Sequence, residues 1–346
     1  MPNLLKDLDR LIAYSRVIGA TPHMIQAAGG NTSVKSDGVM WIKASGRWLS
    51  DIVDRNGFLA MDVDRTLAVL AKPEATDADM RACVCDESAA ARPSVEVPMH
   101  AAIPYRFVVH SHCIDVIAIA IQRDAEKRLN KHLNGLDWAF VPYVKPGVPL
   151  SRYVSKAAQT GVKIFVLANH GLIVAADTLE EIDSITHEVL RRLDAKTAAD
   201  IPAAKTPQMD LEGSGFSWAK DSMSHQIALD ETWSSILTKG SFAPDLLVFL
   251  GPALPVLEPD DTMQDELARL SKSPLPLSGA VIIRGVGVVL RDDAFLGSEA
   301  LLRSARDVLA VLPKDSEIAF FSENEQFELL NWDAEKYRQA LNVQGE

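Results

Sequence analysis

Two histidines sit one residue apart at the end of an apolar run, Phe107-Val108-Val109-His110-Ser111-His112-Cys113. Side chains of a β-strand alternate between its faces, so His110 and His112 are expected to point the same way. A valine-rich strand is a poor setting for two solvated imidazoles. They are either hydrogen-bonded core histidines or ligands sharing a metal ion. A third histidine, in Val166-Leu167-Ala168-Asn169-His170-Gly171, again closes an apolar run and favours the metal reading. Three neutral imidazoles with one open position is the arrangement of a catalytic zinc site, and manganese or iron also accept imidazole. Such an ion keeps its full charge for an oxygen ligand and acts as a Lewis acid toward a carbonyl or an enediolate.

Glu96, in Arg92-Pro93-Ser94-Val95-Glu96-Val97-Pro98-Met99-His100, is the candidate proton carrier. A carboxylate beside a metal can take and return a proton; on its own sequence it reads more readily as an exposed glutamate at a helix start. His100, four residues on, shares its helical face and is a fourth ligand, a partner of a ligand or a core residue. Candidate anion donors lie in Gly30-Asn31-Thr32-Ser33 and Ala44-Ser45-Gly46-Arg47, with the Ser94 hydroxyl at an expected helix start. Asn31, Ser45, Gly46 and Ser94 together can cradle a phosphate or carboxylate, whereas each alone is an ordinary turn residue.

The elements that must position these residues follow from periodicity. Helical spacing runs from Leu4 to Gly19. A glycine turn at 29–30 enters a strand, and Val39–Lys43 is its hairpin partner across Ser36-Asp37-Gly38. Helices are expected over Asp62–Leu70, Asp77–Cys85 and Ser94–Ala102, the last with Pro98 in its first turn. Phe107–His112 is a strand and Cys113–Gln122 a helix. Trp138–Tyr143 is a strand, Ser151–Thr160 a helix, and Val162–Ala168 with Leu172–Ala175 a strand pair bent at Asn169-His170-Gly171. Thr178–Ala195 is a long helix capped by Thr178.

The pattern breaks from Lys196 to Lys220, where Pro202, Pro207, Gly213 and Gly215 fall among small and polar residues. The expected division is a catalytic domain over 1–200, a linker over 201–220 and a C-terminal α/β unit over 221–346. In that unit Asp245–Leu250 and Ala280–Arg291 are expected strands, and Ser298–Leu312 and most of Ser322–Ala340 helices. Gly285-Val286-Gly287 lacks the third glycine of a dinucleotide fingerprint and argues weakly for a nicotinamide cofactor.

The chain has 346 residues, 47% hydrophobic and 24% charged, which suits two globular domains. Its net charge is -12 and it has no basic run, so nucleic acid is not an expected partner. The first ten residues are too charged for a secretory signal, and no apolar stretch is long enough to span a membrane. Three cysteines, Cys83, Cys85 and Cys113, suit a reducing cytoplasm. Cys83-Val84-Cys85 lacks the second pair that a metal knuckle needs.

Gly-Gly-Asn-Thr-Ser at 29–33, Lys-Ala-Ser-Gly at 43–46, Pro-Ser-Val-Glu at 93–96, His-Ser-His at 110–112 and Asn-His-Gly at 169–171 occur in this order. Over about residues 5–195 the set resembles the class II aldolase/adducin family. The resemblance implies a three-layer α/β/α fold with a central, mainly antiparallel sheet. It implies zinc on His110, His112 and His170, Glu96 as the acid/base residue, and substrate phosphate near Asn31, Ser45, Gly46 and Ser94. Small-sugar aldolases of the family usually have a second serine where this chain has Val95; Arg47 or Lys43 are the residues able to compensate. The segments Pro244–Phe249, Arg284–Val288 and Asn331–Arg338 resemble the stretch after the aldolase domain in rhamnulose-phosphate aldolase/short-chain dehydrogenase fusions. The chain is therefore expected to be an aldolase half without the dehydrogenase.

The activity implied is retro-aldol cleavage of a ketose or ketose phosphate through a metal-stabilised enediolate, in a cytoplasmic homo-oligomer, a tetramer by resemblance. Decarboxylation, dehydration or 4-epimerisation on the same scaffold is the alternative within the enzymes. An adducin-like binding protein without catalysis is the alternative outside them.

Overall fold

Two strands, β1 (Asn31–Ser36) and β2 (Val39–Lys43), form the expected hairpin. Its turn residues Asp37 and Gly38 have φ of +53° and +77°, the left-handed pair that a tight hairpin turn requires. The computed structural model describes residues 2–86, 88–193 and 204–343. It divides the chain into two units, Met1–Ala120 with Asp124–Ala195, and Ile121–Arg123 with Lys196–Glu346.

In the first unit α1 (Pro2–Gly19) precedes the hairpin, and β3 (Phe58–Asp62), α2 (Val63–Leu70), α3 (Asp77–Arg81) and α4 (Val97–Ala102) follow it. Next come β4 (Phe107–Ser111), α5 (Ile114–Ala120), α6 (Ala125–His132), β5 (Trp138–Val141) and α7 (Val148–Ala158). The unit ends with β6 (Ile164–Leu167), β7 (Gly171–Ala176) and α8 (Leu179–Leu193). The strand order is β3-β2-β1-β4-β7-β6-β5. Neighbours are antiparallel except β5 and β6. This is the expected three-layer α/β/α class.

Alternation along the strands separates the two faces. Phe107 and Val109 of β4, with Leu172 and Val174 of β7, pack against Leu8 and Leu11 of α1, Val116 of α5 and Ile182 of α8. Val108, Ile173 and Phe165 point the other way, onto Met99 of α4 and Val154 of α7. Met40, Ile42 and Met61 join that second face against Val69 of α2 and Val97 of α4. The period of two thus fills both layers from one sheet.

Several boundaries move. The helix expected from Asp77 to Cys85 stops at Arg81, and residues beyond it pair with the edge strand: Asp62 N donates to Cys83 O and Cys85 N to Ala60 O. Cys83 is buried and Cys85 exposed, so the two do not converge on one ion. Strand β3, which the sequence reading did not anticipate, directly follows Asn56-Gly57 and pairs antiparallel with β2. Helix α4 begins at Val97, not Ser94, with Pro98 in the first turn as expected.

The second unit contains β8 (Phe216–Trp218), α9 (Gln226–Leu229), α10 (Glu231–Lys239), α11 (Pro244–Leu250), β9 (Val256–Leu257) and α12 (Met263–Leu270). It continues with β10 (Ala280–Ile283), β11 (Gly287–Arg291), α13 (Ser298–Val311), α14 (Glu323–Leu330) and α15 (Asp333–Leu341). Its sheet runs β8-β11-β10-β9. Residues 216–218, expected in the linker, are its edge strand, while 201–203 lie outside the described residues. Asp245–Leu250, expected as a strand, is helical. All seven residues of α11 are buried, and a continuous apolar run carries no periodicity to separate strand from helix. The single strand expected over 280–291 is a hairpin turning at Gly285, φ +68°, so its glycines lead directly into a strand, where a dinucleotide fingerprint would open a helix. No helix among the described residues is long and apolar enough to cross a membrane.

Candidate metal centre and its carboxylate

His110 comes from β4, His112 from just beyond its end, and His170 from the turn joining β6 to β7. Although β4 stops at Ser111, the chain stays extended enough for both imidazoles to reach one place. That turn exists because Asn169 takes the left-handed conformation, φ +58°, which asparagine tolerates better than most residues. Gly171 is needed there, since a Cβ would lie 2.3 Å from Ser111 O. One ring nitrogen from each of His110, His112 and His170 lies within 4.8 Å of the others, and all three residues are buried. Ring centroids are 4.8–5.2 Å apart with steep interplanar angles, so the rings converge rather than stack.

The tautomer of His110 is set by the neighbouring strand. His110 Nδ1 is 3.1 Å from Leu172 O, to which it donates, and this leaves Nε2 as the inward nitrogen. That Nε2 faces Glu96 Oε2 at 3.6 Å, and His170 Nε2 faces Glu96 Oε1 at 3.6 Å. Both separations exceed a hydrogen bond.

Glu96 immediately precedes α4 and is 5% exposed, so the exposed-glutamate reading fails. Asn31 Nδ2 donates to Glu96 Oε2 at 2.5 Å and to Ser94 Oγ at 3.4 Å, and Glu96 N donates to Ser94 Oγ at 3.2 Å. Burial by itself raises the carboxyl pKa; the His110 and His170 imidazoles and the Asn31 amide outweigh it and hold the group down at about 2. Oε1 is buried and has no hydrogen-bond partner among the described residues.

The donor set fits a divalent ion: three converging imidazole nitrogens, one with its outer nitrogen anchored to a carbonyl, beside an ionised carboxylate with an unused oxygen. The ion's identity is not fixed by this chemistry.

Of the other sequence candidates, Ser94 is brought to Glu96 through Asn31. Ser45 and Gly46 lie in a turn tied to the same segment, with Ala44 bridged to Pro93 and Ser45 N donating to Arg92 O. His100 is fully buried under the sheet, its Nδ1 2.7 Å from Ser33 Oγ. Burial pushes its pKa down to about 3. Lys43, a candidate for replacing the missing hydroxyl, instead directs its ammonium to the carbonyls of Ala28 and Arg47. Gly29 was missed as a site residue: a Cβ there would lie 2.6 Å from His112 Nδ1, a closeness signalled in the sequence only by the paired glycines.

Part of this chain is similar to known proteins. The family model described as the class II aldolase and adducin N-terminal domain matches residues 9–191. A Bacillus subtilis (strain 168) protein, YuxG, described as an uncharacterized oxidoreductase, is 29% identical over 192 residues, covering 51% of this chain. That match takes in 27% of YuxG, so the chain spans about a quarter of this relative. Among solved structures, the N-terminal class II aldolase domain of a conserved Thermoplasma acidophilum protein is 30% identical with a TM-score of 0.50. The match covers 54% of this chain and 92% of that one. An L-fuculose 1-phosphate aldolase is 21% identical with a TM-score of 0.39, covering 54% and 82%.

Proposed function

This chain belongs to the class II aldolase and adducin family, and on that premise we propose that it is a zinc-dependent aldolase cleaving a ketose or ketose phosphate. Glu96 carries the reading. It is an ionised, buried carboxylate aimed between two imidazole nitrogens, at 3.6 Å from each.

His110, His112 and His170 would hold the ion. Once bound, it supplies Lewis acidity toward the oxygens of a carbonyl and its neighbouring hydroxyl. Glu96 serves the carbon proton. As a carboxylate it removes a proton from carbon next to a carbonyl in the condensation direction; in cleavage the carbon–carbon bond breaks as the substrate hydroxyl gives up its proton, and Glu96, protonated in that exchange, delivers a proton to the carbon left behind. Asn31 holds the carboxylate in place and favours its charged form. Ser94, Ser45 and Gly46 stand on connected segments and offer hydroxyl and backbone donors to an anionic end of the substrate.

Val95 favours a second reading. It places hydrocarbon beside Ser94 where a further hydroxyl would suit phosphate, which fits decarboxylation or epimerisation of an unphosphorylated substrate on the same residues. Product analysis of the zinc-loaded protein with ketoses, ketose phosphates and keto acids separates the two. An aldehyde product supports the aldolase; carbon dioxide or an epimer supports the second reading.

A further inference from the structure

Lys43 ends β2 and is 2% exposed. A buried ammonium must find acceptors for its N–H groups or forfeit its charge. Lys43 donates to two main-chain carbonyls, Ala28 O and Arg47 O, each at 2.8 Å. The two carbonyls belong to different loops, and each loop serves the metal centre.

Ala28 lies in the turn that enters β1. The next residue, Gly29, is pressed against the His112 ring, and a Cβ on Gly30 would lie 2.7 Å from His110 O. Ala27 has φ of +50° and Gly30 +62°, a conformation unfavourable for alanine that persists only when its surroundings impose it. Arg47 closes the turn that carries Ser45 and Gly46. That turn pairs through Ala44 with Pro93, which leads into Ser94 and Glu96. One amine therefore joins the backing of a metal ligand to the loop beside the carboxylate.

We propose that Lys43 is a positioning residue: it fixes the 27–30 turn against His112 and holds the Ser45–Arg47 turn in the same frame. Zinc affinity and the placement of the anion donors then depend on this buried amine. The inference rests on His112 being a metal ligand.

Lys43→Met keeps the length of the side chain and its apolar stem while removing all its donors. Zinc affinity is measured by competition with a chelator on protein whose fold and thermal midpoint are checked separately. Loss of an outer support of a ligand predicts zinc bound ~10- to 100-fold more weakly. Leu8→Ala in α1 is the control for general destabilisation: it lowers the midpoint and leaves zinc affinity at the wild-type value. If Lys43→Met does not fold, Lys43→Gln is measured in the same way and is expected to weaken zinc binding. Wild-type affinity in a folded Lys43 variant, with zinc bound normally by the unaltered protein, would overturn this proposal alone. No zinc binding by the unaltered protein would overturn the site reading and the proposal with it.

Discussion

Asn31 and Glu96, 65 residues apart in sequence, are joined by a hydrogen bond of 2.5 Å from the amide Nδ2 to the carboxylate Oε2. The same strand pairing sets Asn31 opposite His110 in the register of β1 and β4. One ladder thus positions a candidate ligand and the donor that orients the candidate base. A hydrogen bond to a charged group is worth ~1.5–3 kcal/mol, so Asn31→Ala is expected to lower turnover per bound ion ~10- to 100-fold. Metal content, measured by elemental analysis, should stay unchanged.

His100 makes stability depend on acid. Its pKa is about 3 in the folded protein, because burial disfavours the charged ring, against an ordinary 6.5. Between these values the unfolded chain binds a proton that the folded chain does not. Stability is therefore full above 6.5, falls as pH drops from 6.5 to 3, and loses nothing further from this group below. The thermal midpoint of metal-free protein should decline over that window, and His100→Gln should decline less steeply. Parallel curves for the two proteins would contradict the assignment.

Gly29→Ala should push on His112. The added Cβ lies 2.6 Å from Nδ1 and 2.9 Å from Gln26 O, with a backbone acceptor on one side and a packed ring on the other. Overpacking of this kind costs ~1–3 kcal/mol. Weaker zinc retention together with a lower thermal midpoint is expected; retention equal to wild type would show that the ring moves freely.

In the second unit Arg338 of α15 bonds Asp245 at 2.8 Å and Glu335 at 2.9 Å, and its guanidinium lies 5.3 Å from the centre of the Phe249 ring. Arg338→Met leaves two buried carboxylates without this cation. Breaking such a pair from one side costs ~3–5 kcal/mol, and denaturant unfolding of the variant should show a loss of that order.

The convergence of His110, His112 and His170 was legible because their spacing is periodic. His110 and His112 stand two residues apart, and Asn169-His170-Gly171 spells a turn between strands. The surroundings of Glu96 were not legible. Its burial comes from β1, whose Asn31 and Ser33 meet Ser94, Glu96 and His100 only after the sheet is assembled. Lys43 was noted for its charge, whereas its role follows from two carbonyls that no local pattern brings together. Asp245–Leu250 misled for a simpler reason: full burial erases the amphipathic period, and Pro244 in the first helical turn is an equally good start for either element.

The central claim is that Glu96 moves the carbon proton while the three histidines hold the ion. It is tested by turnover per bound zinc in Glu96→Gln, on a ketose or ketose phosphate cleaved by the wild type. The account predicts unchanged zinc content and turnover ~10²- to 10⁴-fold lower, the range of a lost general acid or base. Unchanged turnover at unchanged zinc would contradict it.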